Sequence, residues 1–247
     1  RLVGSEMCIR DRIRTPLTLI KAPLEKILRS GDGTPATQEN LRIIEKNTGR
    51  LLDLSNQLLD FRKTESQGFR LNFAKCNITE VLKETHVRFT SLAKQKGLEF
   101  TLQVPEKDFY AHVNQEAFTK IISNLLNNGM KYAESYVHVM LEIPETDDDN
   151  LFRIRTVNDG VIIPDEMKEE IFKPFVRFNE QEDGKVTTGT GIGLALSRSL
   201  AELHQGTLAM ETGEESNIFC LTLPVVQDMT ITLTPEAEVE IDRVNEI

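Results

Sequence analysis

A glycine cluster that runs straight into an apolar, helix-forming segment constrains this chain more than any other feature. Gly189-Thr190-Gly191-Ile192-Gly193, within residues 173–196, leads directly into Leu194-Ala195-Leu196-Ser197-Arg198-Ser199-Leu200. Closely spaced glycines let the backbone bend and let an anion approach the amides. A helix that begins there adds unpaired N–H groups and the positive end of its dipole. Such a stretch is either a tight turn or a place to hold phosphates, and the remaining chain decides between the two.

A chain of 247 residues has room for one large domain or two modest ones. Its 39% hydrophobic and 28% charged residues are those of an ordinary globular protein. No apolar run approaches the ~20 residues needed to cross a bilayer. The net charge of −10 argues against a nucleic-acid surface, since nothing supplies a broad basic face. Cys8, Cys76 and Cys220 are far apart, which fits a reducing compartment and gives neither zinc-ligand spacing nor a disulfide framework.

Residues 1–12, RLVGSEMCIRDR, have no helical or strand period and read as a non-native or disordered leader. Order begins at residue 13. Thr15 before Pro16 is an N-cap followed by proline at the first helical position. Leu17, Ile20, Leu24, Ile27 and Leu28 then share one helical face. After a turn at 30–35, Leu41, Ile44, Thr48, Leu51, Ser55 and Leu58 fall at heptad seam positions of a second helix. Residues 13–67 thus form a helical hairpin whose apolar surface needs a cover. Either a second copy supplies it, in a dimeric four-helix bundle, or the hairpin packs on the following domain; the dimer is the favoured reading.

Beyond residue 68 the pattern is mixed. Helices are expected at 78–94 and 115–131, and strands at 98–104, 110–113, 136–143, 151–157, 206–212 and 218–223. The class is α+β, with the second domain at 68–225 and an acidic linker at 226–247. In the 115–131 helix, Asn124 and Asn128 lie one turn apart on one face. Asparagine is a poor helix-interior residue, so the pair marks either a binding face or a solvated one. Its carbonyls suit Mg²⁺, Lys131 suits a phosphate, and Tyr132 could stack on a base.

Together these segments resemble the histidine-kinase branch of the gyrase–chaperone–kinase–mismatch-repair (GHKL) ATPases. IRTPLTLI (13–20) is similar to the end of that family's phosphoacceptor box, and ISNLLNNGMKY (122–132) to its asparagine box. VNDGVIIP (157–164) resembles the first glycine box, IFKPFVRF (171–178) the phenylalanine box, and GTGIGLAL (189–196) the second glycine box. The resemblance implies a dimerising hairpin followed by an α/β sandwich that binds ATP with Mg²⁺. Asn128 would be the metal ligand, with Asn124 supporting it. Lys131 would contact phosphate, and Tyr132, Asn158, Asp159 and Gly160 would wall the adenine site. Phe175, Gly189, Thr190, Gly191, Gly193 and Leu194 would surround the triphosphate under a mobile lid at 176–188. Thr15 would position water for removing phosphate from a partner. The short first glycine box and the acidic tail resemble hybrid kinases, whose chain continues into a receiver domain. The resemblance also implies the cytoplasmic portion of a membrane-anchored sensor.

Two departures matter. The family's first glycine box reads D-N-G-x-G-I-P, whereas here Asn158 takes the place of its Asp and Ile162 that of its second glycine. A carbonyl still accepts from the adenine amine, without charge assistance, so adenine selectivity is expected to survive with modestly lower affinity. Ile162 disfavours φ > 0, so the loop must run differently. The phosphoacceptor box begins H-E-I-R-T-P in the family, but Asp11 and Arg12 occupy its His and acid positions here. His86, His112, His138 and His204 all lie outside the hairpin. The expected function is therefore a sensor kinase core, phosphorylating a histidine and then a receiver aspartate, that lacks its own acceptor. Two alternatives stay open: a non-catalytic, nucleotide-responsive signalling module, and a serine kinase or chaperone-like ATPase, against which the hairpin speaks.

Overall fold

The computed structural model describes residues 20–21, 24–25, 27–29, 34–65, 71–146, 149–178, 190–213 and 215–227. The described residues between 20 and 29 are helical, and α1 (Pro35–Glu65) follows them. Next come β1 (Ala74–Asn77), α2 (Ile78–Lys96), β2 (Glu99–Gln103), β3 (Tyr110–Val113) and α3 (Gln115–Tyr132). After β4 (Tyr136–Glu142) and β5 (Leu151–Asn158), two short 3₁₀ turns lead to α4 (Gly193–Leu203). The strands β6 (Thr207–Thr212) and β7 (Asn217–Pro224) close the domain.

The main sheet has the order β2-β4-β5-β7-β6, with β2 and β4 parallel and every other pair antiparallel. Strict alternation explains how it is covered. Val137, Val139 and Leu141 of β4 and Phe152 and Ile154 of β5 point into the core. There they meet Phe118, Ile121, Ile122, Leu125 and Leu126 of α3, and Leu196 and Leu200 of α4. The intervening residues, such as Tyr136, His138, Met140 and Arg155, lie on the other, less buried face. The result is a two-layer α/β sandwich, the class the sequence predicts.

Local chemistry sets the helix limits. Asn77 caps α2 by accepting from the Glu80 amide at 3.1 Å, and Gly97 ends it at φ 71°. The helix thus ends two residues past the expected 94. Asn114 caps α3 through the Ala117 amide at 2.9 Å. The sequence reading missed β1, a four-residue strand that pairs antiparallel with β3 alone.

The α1 seam divides. Thr48 and Ser55 are already buried within the single chain, whereas Ile44 and Leu51 are about half exposed at 46% and 52%. Leu58, expected to face a second copy, instead packs against the core of the sandwich with Leu54 and Phe61. Asp60 pairs with Lys120 of α3, so the end of α1 is docked on the sandwich.

His204, at the end of α4, joins three segments. Its Nδ1–H donates to the Leu200 carbonyl at 2.6 Å, and its Nε2 accepts from the Asn114 amide at 3.1 Å. Phe73 meets the ring edge-on, with centroids 5.4 Å apart. Burial holds its pKa below the usual 6.5, outweighing the opposing effect of the two backbone hydrogen bonds. The folded state therefore resists a proton that the unfolded chain accepts. The stability this provides is present above about pH 6.5 and is lost as pH falls below it. Thermal melts from pH 7.5 to 5.5 should show a steeper loss for the wild type than for His204→Gln. Parallel slopes would contradict this account.

Candidate nucleotide site

The site is built where α3, the end of β5 and the start of α4 converge. The N-terminus of α4 has no side-chain cap, because the capping position is Ile192. Its first amides are thus left without the usual side-chain acceptor, and Gly191 enters the helix at φ 69°. A β-carbon on Gly191 would lie 2.9 Å from the Phe175 backbone, so glycine is required there for both conformation and space. A hydrogen bond of 2.8 Å from the Phe175 amide to the Gly191 carbonyl ties the two together. Phe175 itself has φ 67° and an exposed ring. The residues flanking the expected lid are therefore bonded to each other.

The α3 asparagines do different work. Asn124 donates from Nδ2 to the Gly193 carbonyl at 3.2 Å and to Ser197 Oγ at 3.1 Å, which fixes the start of α4 against α3. Asn128, one turn on, is half-buried and has no hydrogen-bond partner among the described residues. Lys131 donates to the Tyr132 hydroxyl at 2.6 Å and sits 4.3 Å from the centre of that ring. Leu194 is half-buried against the core.

At the far end of α3, a β-carbon on Gly160 would lie 2.0 Å from the Tyr132 carbonyl oxygen. Gly160 is therefore needed for packing in this arrangement. Gly160→Ala should cost about 1–3 kcal/mol or more, because the β5–α3 junction must separate. Calorimetric melting checks this, and an unchanged Tm would refute the close approach. Asn158 is 3% exposed, and its carboxamide has no hydrogen-bond partner among the described residues.

Asp159 behaves differently from its neighbour. Its carboxylate accepts from the amides of Glu134, Ser135 and Tyr136 and from the Ser135 hydroxyl. Partial burial pushes its pKa up, but these bonds outweigh that and bring it down to about 2. The charge expected beside a base is spent on holding the turn into β4.

Three contributors escaped the sequence reading. Asn217 accepts from the Ile163 amide and donates to the carbonyls of Gly160 and Val161. That is how the loop closes with Ile162 in place of a glycine, since Ile162 needs no positive φ here. Ser197 anchors Asn124. Gln57 of α1 accepts a 2.5 Å bond from Thr190, linking the glycine segment to the hairpin helix. In sequence all three are ordinary polar residues at helix or strand positions, and only folding brings them to the site. Asp11, Thr15 and Gly189 lie outside the described residues. His86 and His138 stack on Phe100 and Tyr136, and none of the four histidines lies on α1.

Residues 113–227 match the family described as "Histidine kinase-, DNA gyrase B-, and HSP90-like ATPase". Residues 9–67 match the "His Kinase A (phospho-acceptor) domain". The chain belongs to the histidine kinases. This chain is 33% identical over 220 residues to Histidine kinase P4 of Formosa agariphila, covering 88% of this chain and 16% of that one. It is similar in fold to full-length ShkA solved with AMPPNP, at a TM-score of 0.74 and 19% identity, over 91% of this chain and 46% of that one. A third likeness, at TM-score 0.62 and 21% identity over 90% of this chain and 61% of that one, is to ThkA in complex with the response regulator TrrA. The chain thus spans less than two thirds of each of these proteins. No helix among its described residues is long and apolar enough to cross a membrane.

Proposed function

We propose that this chain is the kinase core of a two-component sensor, holding MgATP between α3 and α4 for phosphoryl transfer to a histidine and onward to a receiver aspartate. The observation that carries this reading is that one helix, α3, joins an uncapped helix N-terminus at Asn124, through the unpartnered carboxamide of Asn128, to the buried carboxamide of Asn158 beyond Tyr132. The donor set fits the ligand. Amides at the start of α4 suit phosphate oxygens, and a β-carbon on Gly193 would make only ordinary contact with Asn124 at 3.8 Å. The Asn128 carbonyl suits a hard cation, and Lys131 can exchange its Tyr132 contact for a phosphate.

When bound, MgATP supplies the transferable phosphoryl group, and positioning with charge neutralisation is what such transfer needs from a protein. Asn124 holds the α4 dipole in line, Asn217 and Asp159 fix the opposite wall, and Phe175 with Gly191 set where the lid segment leaves and rejoins. Calorimetric titration with ATP, with and without Mg²⁺, tests the reading. Binding that is absent in both conditions refutes it. Receiver transfer draws support from ThkA having been solved with its response regulator.

The exposed row of Ile43, Ile44 and Leu51 on α1 supports a homodimer through the hairpin. Replacing Ile44 and Leu51 with Asp should give monomers in sedimentation that still bind nucleotide. A wild type monomeric at about tens of micromolar would oppose this. A second reading, a nucleotide-responsive module without its own transfer, is favoured by the bond between Thr190 and Gln57, which ties the phosphate-side loop to the hairpin.

A further inference from the structure

We infer that Asn158 lets this nucleotide site accept 6-oxopurine as well as 6-aminopurine triphosphates. The inference rests on the reading of the α3–α4 cleft as a nucleotide site and deepens it.

The geometry of α3 assigns the two ends of the ligand. Asn124 is hydrogen-bonded to Gly193 at the uncapped start of α4, where an anion is stabilised. Tyr132, eight residues further along the same helix, presents its carbonyl to Gly160, and Asn158 Nδ2 would be 3.1 Å from a β-carbon on that glycine. At 1.5 Å per residue the two ends are about 12 Å apart. A triphosphate held at the first end carries its base towards the second. Asn158 is neutral and buried, so what it can offer there is a hydrogen-bond pattern.

That pattern is reversible. A carboxamide presents a donor and an acceptor side by side, whereas an ionised carboxylate only accepts. Among the described residues, nothing hydrogen-bonds to the Asn158 amide to dictate which way round it lies. The Asp159 carboxylate next door is taken up by the 134–136 turn and does not orient it. With Oδ1 towards the 6-position, the amide accepts from an exocyclic amine and donates to ring N1. Rotated by half a turn about its last bond, it donates to a 6-oxo group and accepts from N1–H. Either base makes two hydrogen bonds with no movement of β5. A carboxylate in the same place matches only one of the two groups of either base, accepting from the 6-amine or from N1–H while setting lone pairs against N1 or O6. The expectation of retained adenine selectivity is thus replaced by one of relaxed selectivity.

Inosine triphosphate is the cleanest probe, because it changes the 6-edge without adding a 2-amino group. Titrations with MgATP and MgITP should give dissociation constants within about 5-fold of each other, the lower bound of what one lost bidentate pair costs. Asn158→Leu, which keeps the shape and removes both hydrogen bonds, should weaken ATP and ITP alike by at least ~5-fold. If wild-type protein binds ATP but discriminates against ITP by about 50-fold or more, the inference fails while the nucleotide site stands. If it binds neither, the underlying reading fails and takes the inference with it. The wild-type ratio decides the matter even where the Leu variant does not fold. Where that variant does fold, unchanged affinities for both nucleotides assign the base contact elsewhere and overturn the role of Asn158.

Discussion

Asn128→Ala should abolish Mg²⁺-dependent ATP binding and leave the fold as stable as before, or slightly more so. Truncating Asn128 removes no hydrogen bond to any described residue. Alanine is also the better helix former by about 0.5 kcal/mol. The loss should be confined to the ligand. Removing a direct oxygen ligand should weaken MgATP by at least ~100-fold, given that even groups supporting a ligand are worth 10- to 100-fold. Asn124→Ala makes an instructive contrast. It breaks the bonds to Gly193 and Ser197, so it should lower Tm as well as affinity, because the start of α4 loses its tether. Calorimetry for binding and for melting separates the two. If Asn128→Ala binds MgATP as the wild type does, α3 does not carry the metal. If both variants lose stability equally, the division of labour along α3 is wrong.

That division was only half legible in the sequence. The spacing of Asn124 and Asn128 places both on one helical face, but spacing says nothing of which amide the protein uses for itself. Asp159 makes the same point in reverse. In sequence it neighbours the base-reading position, and in the fold its carboxylate is consumed by three backbone amides. The long, strongly patterned elements were easy to read, since α3 carries both its cap at Asn114 and a continuous buried face. The strand β1 was not, because Ala74-Lys75-Cys76-Asn77 has no period of its own and exists through pairing with β3. Heptad spacing likewise marks Leu58 as needing a cover without naming it, and the cover is the sandwich core. Asn217 and Gln57 are the extreme case. Their partners lie 54 to 57 and 133 residues away in the chain, a separation that no local pattern encodes.

The chain as it stands should bind MgATP yet form no acid-labile, base-stable phosphate on incubation with γ-labelled ATP. The reason is chemical. Phosphoryl transfer to a histidine needs a neutral imidazole nitrogen with a base or hydrogen-bond acceptor beside it. Asp11 offers a carboxylate in that place, and Arg12 puts a positive charge where the family's box has an acid. The four histidines of the chain all lie outside the hairpin: His204 is buried with both nitrogens bonded, His86 and His138 are stacked on aromatic rings of the sandwich, and His112 sits in β3 opposite Lys75. The double change Asp11→His with Arg12→Glu should therefore restore labelling that the single change Arg12→Glu does not. Helix formation is costly to nucleate, so the imidazole also needs ordered residues before it. The repaired chain is best tested with residues 1–10 replaced by a helix-forming heptad segment. Labelling of the unmodified chain on histidine would overturn the alignment of IRTPLTLI with the phosphoacceptor box. Silence of the repaired chain, with ATP binding intact, would move the explanation to the bond between Thr190 and Gln57. Releasing it with Gln57→Ala should then free the glycine segment from the hairpin and switch labelling on. If it does not, the signalling-module reading is the one that survives.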